Sequence, residues 1–380
     1  MKSQIIVGFD AKRVVRNGTG LGSYGRTLVA DLALFDELKL NLYAPDAGRE
    51  DLRMQVPEWR NNVEMCYPVK GGNSIYKAYW RSRGIVKQLQ RDGVQVFHGL
   101  SGELPVGMKK SGIKSVVTIH DLIFMRHPEY YNPIDVFIYK RKFFQTLREA
   151  DRIVAISECT RRDICELGGV PEDKIDLVYQ SCATRFSSEV SASDMERVGK
   201  KYDLPRRYVL SVGSIEARKN ALLTLKSLHG LPEGICLVLV GRPTDYSKKL
   251  QKAALQENLV HRLMLLHGVP DEDLPAIYAQ AEVFVYPSRY EGFGIPIIEA
   301  IRMHLPVVAC TGSCLEEAGG PDNLYVGPDD AAGMAHAVSQ LLKGNADREE
   351  RIVRSCEYIR RFENTGAAAR FVEIYRSLAI

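Results

Sequence analysis

The 380-residue sequence holds no run of eighteen apolar residues, so no segment reads as a membrane-spanning helix. The first ten residues, Met1 to Asp10, lack the apolar core and cleavage site of a secretory signal; they read as a strand ending in an acid. No disulfide framework is visible either. The eight cysteines are scattered, and several, such as Cys236 and Cys310, sit in apolar runs, the pattern of buried free thiols in a reducing compartment. Cys310 and Cys314 stand four apart and Cys159 and Cys165 six apart, without a second Cys/His pair at zinc-site spacing. No Asp-x-Asp pair stands at a plausible donor site. These absences predict a cytoplasmic chain with no metal and no cofactor, and nothing points to nucleic acid.

What is present fits a two-domain enzyme. Hydrophobic residues make up 45% and charged residues 26%, ordinary values for a globular chain, and the length is a prior for two or three domains. Strand-like and helix-like patterns alternate, which argues for parallel sheets covered by helices on both faces. Strands are predicted at 4–10, 38–44, 62–68, 94–99, 115–121, 152–157 and 175–179, then at 207–214, 235–241, 262–268, 283–288, 306–310 and 324–327. Helices are predicted over 23–35, 75–91, 134–150 and 159–167. The polar stretch 181–205 lacks a strand and is the expected linker. We place the domains at 1–195 and 196–364, with 365–380 returning to the first. Net charge is +4, but residues 1–150 hold 23 Lys and Arg against 15 Asp and Glu. A basic N-terminal half suits an anionic acceptor or the inner face of a membrane.

The most informative segment is Ser288-Arg289-Tyr290-Glu291-Gly292-Phe293-Gly294-Ile295-Pro296-Ile297-Ile298-Glu299. The apolar run Val283–Pro287 reads as a buried parallel strand, and Pro296 marks the first turn of a helix. Glu291 then lies on the loop at a strand's carboxyl end, where open α/β sheets bind ligands, and Glu299 about one turn into the helix. A helix start with unpaired N–H groups suits a phosphate. Upstream, Gly213-Ser214-Ile215-Glu216-Ala217-Arg218-Lys219-Asn220 sets two cations after another strand. Cations placed where a leaving diphosphate gains charge lower the barrier; Arg can grip two oxygens, while Lys acts as a point charge.

Together with Asp273–Ala281 and Pro306-Val307-Val308, these segments resemble glycosyltransferase family 4. The resemblance covers 207–330 well and the first half more loosely. It implies retaining chemistry on the GT-B fold: two doubly wound Rossmann-like α/β domains facing each other across a cleft, with the last helix, 371–378, crossing back to the first domain. It gives Arg218 and Lys219 the donor diphosphate and Glu291 the donor sugar's hydroxyls. Glu299 takes the ribose hydroxyls, for which a carboxylate offers two acceptor oxygens. Backbone N–H groups of Phe293, Gly294 and Ile295 face the sugar or phosphate. Family members with a similar strand-His pattern point to His120 near the reaction centre. The catalytic set is thus His120, Glu291, Arg218 and Lys219. The donor is a nucleotide-diphosphate sugar. GDP-mannose is favoured because Thr118–Phe124 with Arg126–Glu129 looks like bacterial mannosyltransferases; a UDP-sugar is the near alternative. The acceptor is a growing glycan or a lipid-linked sugar in surface polysaccharide synthesis. The chain departs from the family at Ala300–Pro306, where relatives carry small residues and a Gly before the Pro, and near Glu316.

Three features keep alternatives open. Gly20-Leu21-Gly22-Ser23-Tyr24-Gly25 matches a dinucleotide fingerprint, and Asp46 follows at a suitable distance, as in an NAD-dependent oxidoreductase. The fingerprint should follow its strand at once, however, and here about ten residues intervene. The family instead has a glycine-rich loop approaching the donor phosphates, a role assigned to Gly20 and Gly22. Asp121 orients a loop or acceptor, or caps a helix; Ser157 is expected to cap the next one. Tyr76, Tyr79 and Trp80, among Lys77, Arg81, Arg83 and Lys87, form an aromatic, basic helix that rests on a membrane, binds the acceptor, or packs inward. A nucleotide-sugar epimerase, hydrolase or phosphorylase, or a non-catalytic sugar-binding module, would share the donor pocket.

Overall fold

The computed structural model describes residues 4–69, 72–180, 182–362 and 366–379. Residues 1–3, 70–71, 181, 363–365 and 380 lie outside the described residues; parts of the expected domains, of the linker and of the returning segment fall on them. The chain divides into two compact units, Met1–Gln180 with Asn364–Ile380, and Ser181–Glu363.

The first unit is a seven-stranded parallel sheet: β1 (Ile5–Asp10), β2 (Leu38–Tyr43), β3 (Val63–Cys66), β4 (Val96–Gly99), β5 (Lys114–Ile119), β6 (Arg152–Ala155) and β7 (Ile175–Leu177). Their order is β3-β2-β1-β4-β5-β6-β7, so the winding reverses between β1 and β4. The central strands are covered on both faces, which explains their unbroken apolar runs. The returning helix, Ala367–Leu378, lays Phe371, Val372, Ile374 and Tyr375 into the core built on Val7, Phe9 and Val96. The Tyr375 hydroxyl meets His98 Nδ1 at 2.7 Å, and Thr118 Oγ1 meets His98 Nε2 at 2.8 Å. This is the return expected for 371–378.

The second unit is a six-stranded parallel sheet: β8 (Tyr208–Val212), β9 (Cys236–Val240), β10 (Leu263–Leu266), β11 (Val283–Tyr286), β12 (Val307–Cys310) and β13 (Leu324–Val326). The order β10-β9-β8-β11-β12-β13 reverses between β8 and β11. Both units therefore have the doubly wound, Rossmann-like α/β architecture expected.

The cut at 195/196 falls inside a helix, Ala192–Tyr202, that the sequence reading left as linker. Ser191 caps it by accepting from Asp194 N at 3.1 Å. Its Arg197, Lys201 and Tyr202 all engage the buried Asp273 carboxylate, at 2.9, 2.6 and 2.8 Å, which ties the segment to the second unit. The expected helix over 75–91 is interrupted by a wider π turn at Trp80–Gly84. Ser157 caps Glu158–Gly168 as predicted, accepting from Thr160 N at 2.9 Å.

Candidate active site

The switch point of the second unit gathers most of the predicted donor residues. β8 ends at Val212, and Gly213 turns the chain at φ +148°, a conformation that suits glycine. The carbonyl of Gly213 would lie 1.8 Å from any Cβ at Gly241, so the ends of β8 and β9 meet only because Gly241 has no side chain. A 3₁₀ turn, Ala217–Lys219, then carries the two cations. On the other side of the switch, β11 ends at Tyr286 and the loop brings Glu291 back toward them.

Glu291 is buried, and its Oε1 lies 3.1 Å from Arg218 Nη1 and 2.6 Å from Lys219 Nζ. Burial works to raise the Glu291 pKa, but Lys219 and then Arg218 outweigh it and hold the carboxyl below its ordinary range. Lys219 is likewise penalised by burial and rescued by Glu291, so its ammonium stays charged well above neutral pH. Arg218 also pairs with Glu216 at 3.2 Å. The two cations thus have carboxylate partners within the chain. Lys219 Nζ donates to the Tyr286 hydroxyl at 2.7 Å and sits 4.9 Å from the centre of that ring.

The helix after the loop, Ile295–Arg302, starts behind Gly294, which takes φ +111°. Phe293 buries its ring edge-on against Phe362, so any ligand contact from this residue must come from its backbone. The loop is held from beneath by two thiols. Cys314 Sγ donates to the carbonyls of Glu291 and Phe293, at 3.2 and 2.8 Å, and Cys310 Sγ to that of Pro287 at 3.3 Å. Glu299 lies one turn into the helix, half-buried, and accepts from the Tyr278 hydroxyl at 3.0 Å through Oε2. Among the described residues its Oε1 accepts no hydrogen bond. Burial pushes the Glu299 carboxyl up to about 7, only partly offset by Tyr278 and Arg185.

Gly20, Gly22 and His120 belong to the first unit. Gly20 and Gly22 lie not in a loop but in the first turn of a helix, Gly20–Leu32. A Cβ at Gly22 would stand 1.8 Å from the carbonyl of Asn17, so packing of this turn alone requires glycine there; a Cβ at Gly20 meets nothing within 4 Å. A short helix, Lys12–Arg16, separates these glycines from β1, and Asp46 is taken by Lys77 at 2.7 Å and by Arg16. Neither is the arrangement of a dinucleotide fingerprint.

His120 follows β5. Its Nε2 lies 2.8 Å from the Leu100 carbonyl, so it carries the proton and donates, and Nδ1 accepts from Gln180 Nε2 at 2.9 Å. The Tyr24 ring stands edge-on to it, 4.7 Å between centres. Burial lowers the His120 pKa to about 4, so the imidazole is neutral at physiological pH. Asp121 accepts from Ile123 N at 3.2 Å, a local turn ahead of the short helix Ile123–Arg126, whose cap position is Leu122.

The aromatic, basic helix turns largely inward. Trp80 is buried with Nε1 donating to Gln88 at 3.1 Å, Lys77 is held by Asp46, and Arg81 by Asp10 and Glu103. Val69, Tyr76, Tyr79, Lys87 and Arg91 nevertheless line an open groove of about 710 Å³ beside it. The sequence reading gives no role to Asp271 or to the Asp273 side chain: Asp271 pairs with Arg185 at 3.0 Å, and Asp273 is the buried helix anchor described above. It also gives no role to Tyr278, Tyr286 and Cys314, which reach the site residues only through the fold. No helix among the described residues is long and apolar enough to cross a membrane.

Comparison with known proteins gives this geometry a context. Residues 36–183 match Glycosyltransferase Family 4, and residues 194–356 match Glycosyl transferases group 1. The chain is 30% identical to O-antigen chain mannosyltransferase B of Escherichia coli over 291 residues, 74% of each protein. It is 29% identical to the O-antigen chain mannosyltransferase RfbU of Salmonella typhimurium, over 59% of this chain and 60% of that one. Among solved structures, a Rickettsia africae glycosyltransferase superposes with a TM-score of 0.77 at 16% identity, covering 100% of this chain and 99% of that one. Anabaena HepE, crystallised with UDP and glucose, superposes at 0.75 and 15% identity, covering 98% and 100%. At such identities the superpositions speak for the fold.

Proposed function

The chain belongs to glycosyltransferase family 4 and is a hexosyltransferase of polysaccharide synthesis, and from that premise we propose that it moves mannose, with retention, from GDP-mannose to a glycan or lipid-linked acceptor. The observation that carries the reading is the cluster of Arg218, Lys219 and Glu291 at the reversal between β8 and β11, one turn of helix from Glu299. The mannosyltransferase names of its relatives favour mannose; HepE, crystallised with UDP and glucose, keeps UDP-sugars in the comparison to be made.

In this reading the diphosphate takes Arg218 and Lys219, displacing Glu291 from both, and Glu291 turns to the sugar's hydroxyls. Glu299 accepts from the ribose through the oxygen that Tyr278 leaves open. Backbone N–H groups of Phe293, Gly294 and Ile295 line the sugar and phosphate path. The bond from the anomeric carbon to the diphosphate oxygen breaks, and the cations take up the charge that develops. The acceptor hydroxyl forms its new bond on the same face, and its proton passes to the departing phosphate. His120, neutral and held at both ring nitrogens by Leu100 and Gln180, contributes as a fixed wall near the reaction centre rather than as a proton carrier. We assign Gly20 and Gly22 to the donor side through their helix turn, and the groove beside Trp80 to the acceptor. No metal or cofactor is invoked. The basic N-terminal half is the side we expect to meet the membrane where a lipid-linked acceptor resides.

A panel of nucleotide sugars tested by calorimetry, with turnover followed on the binders, decides the donor. GDP-mannose should bind more tightly than UDP-glucose and GDP-glucose and be slowly hydrolysed without acceptor. Preference for a UDP-sugar would replace the donor while leaving the fold and family in place.

A further inference from the structure

We propose that the outward face of the helix Pro133–Glu149 docks the protein on an anionic lipid bilayer. The proposal rests on the reading of a membrane-borne acceptor for its purpose, but its evidence is separate. The helix turns Val136, Phe143, Thr146 and Leu147 inward, and Asn132 caps its start by accepting from Ile134 N at 2.9 Å. A helix with one buried face ordinarily presents polar residues on the other. Here the other face carries Ile134, 69% exposed, Phe137, 66%, Ile138, 41%, and Phe144, 39%. At 3.6 residues per turn these four share one stripe, about 120° wide, with Arg141 and Arg148.

Single exposed apolar residues are common, but four large ones on one stripe call for an occupant. The charges say which. Arg141 and Arg148 form no ion pair among the described residues, unlike Lys142 on the flank, which meets Glu103 at 3.1 Å. The acids of this helix are Asp135 at its start and Glu149 at its end, and Glu149 accepts from the backbone N–H groups of Gly107 and Lys109, both at 3.0 Å. Large apolar side chains flanked by uncommitted guanidinium groups match the boundary between acyl chains and anionic headgroups. The Ser74–Tyr79 segment and the turn after it, the more obvious choice from sequence, spend Trp80, Lys77 and Arg81 on internal contacts.

The test uses the full chain and flotation with vesicles of phosphatidylcholine and phosphatidylglycerol in equal parts, or of phosphatidylcholine alone. Wild type should float with the anionic vesicles and be released by high salt. The triple substitution Ile134→Ser, Phe137→Ser, Ile138→Ser should lower the partition coefficient roughly tenfold or more, and Arg141→Gln with Arg148→Gln should abolish the preference for anionic lipid. Circular dichroism and donor calorimetry on the same variants should match wild type. Failure of wild type to float, equal flotation of wild type and triple variant, or a concentration-dependent dimer that the triple variant dissolves would each overturn the proposal, the last by giving the face to a second copy. Wild type that floats but binds no nucleotide sugar would strike the enzymatic reading and leave the docking face standing.

Discussion

Lys219 Nζ lies 2.6 Å from Glu291 Oε1, so the lysine assigned to the donor diphosphate is held by the carboxylate assigned to the donor sugar. The site is electrostatically closed on itself before any ligand arrives. Binding a diphosphate then exchanges one anionic partner for another, and the cations need not be desolvated a second time.

That exchange predicts the behaviour of Glu291→Gln. Removing the competing carboxylate should leave GDP affinity unchanged or raise it, by up to roughly tenfold, because an ion pair no longer has to break. Turnover should nevertheless fall roughly ten- to a hundredfold, the loss of a charged hydrogen bond to the sugar. Calorimetry with GDP and a transfer assay separate the two effects. Weaker GDP binding in the variant would show that Glu291 supports the diphosphate rather than competes with it.

Tyr286 should matter through Lys219 alone. Its hydroxyl accepts from Nζ at 2.7 Å, and its ring lies beneath the ammonium. Tyr286→Phe keeps the ring and removes the acceptor, for an expected loss of about 1 kcal/mol, or roughly fivefold in kcat/KM. Lys219→Ala should cost about 2–4 kcal/mol of transition-state stabilisation. If Lys219 is the route, adding Tyr286→Phe to Lys219→Ala costs nothing further. A double-mutant cycle on kcat/KM measures this, and strict additivity would refute it.

Glu299 makes donor binding depend on pH. Its carboxyl is pushed up to about 7 by burial, whereas the unfolded chain titrates near 4.5. Between those values the folded protein holds more protons than the unfolded chain, so this group's contribution to stability falls as pH rises from 4.5 to 7. In the proposed role the ionised form is the one that accepts from the ribose. GDP-mannose affinity should therefore weaken as pH drops below 7, with a proton released on binding. Glu299→Gln should flatten that profile and bind more weakly at pH 8. It should also raise the melting temperature of the ligand-free protein at pH 8, by an amount equivalent to at most about 3 kcal/mol. Calorimetry across pH 6–8 in buffers of different ionisation enthalpy reads the proton directly.

Much of this architecture could be read from the chain. Each of the thirteen strands among the described residues has a counterpart in the sequence reading, because central parallel strands must be apolar on both faces and stand out as runs such as Val283–Tyr286 and Val307–Cys310. The loop from Ser288 to Gly294 and the helix start at Ile295 were legible because glycine and proline positions follow backbone rules. Long-range pairing was not. Nothing local announces that Asp273 would be buried beneath Arg197, Lys201 and Tyr202, and without that anchor Ala192–Tyr202 is a polar stretch with few apolar residues to signal a helix. The packing demand on the glycine at 22 was not legible either, because the Asn17 carbonyl that a Cβ there would strike is brought beside it only by the fold. For the same reason the aromatic helix around Trp80 drew attention that the Pro133–Glu149 helix deserved.

The returning helix should be as sensitive as the core strands it covers, and Tyr375 is where to test it. His98 is buried between the Tyr375 and Thr118 hydroxyls, and burial, with a smaller push from His120, lowers its pKa to about 3. Tyr375→Phe keeps the packing and strands one ring nitrogen without a partner, at an expected cost of about 1–3 kcal/mol. The first unit should then melt several degrees lower at neutral pH. The histidine also contributes to acid unfolding. Its folded pKa lies below the unfolded value of 6.5, so the unfolded chain binds the extra proton, and stability is full above 6.5 and lost as pH falls toward 3. Replacing His98 by Gln, which can still meet both hydroxyls, should shallow that slope between pH 6.5 and 4. Thermal melts of wild type, Tyr375→Phe and His98→Gln at pH 7.5 and 5 check both parts, and an unchanged slope for His98→Gln would move the acid sensitivity to another buried group.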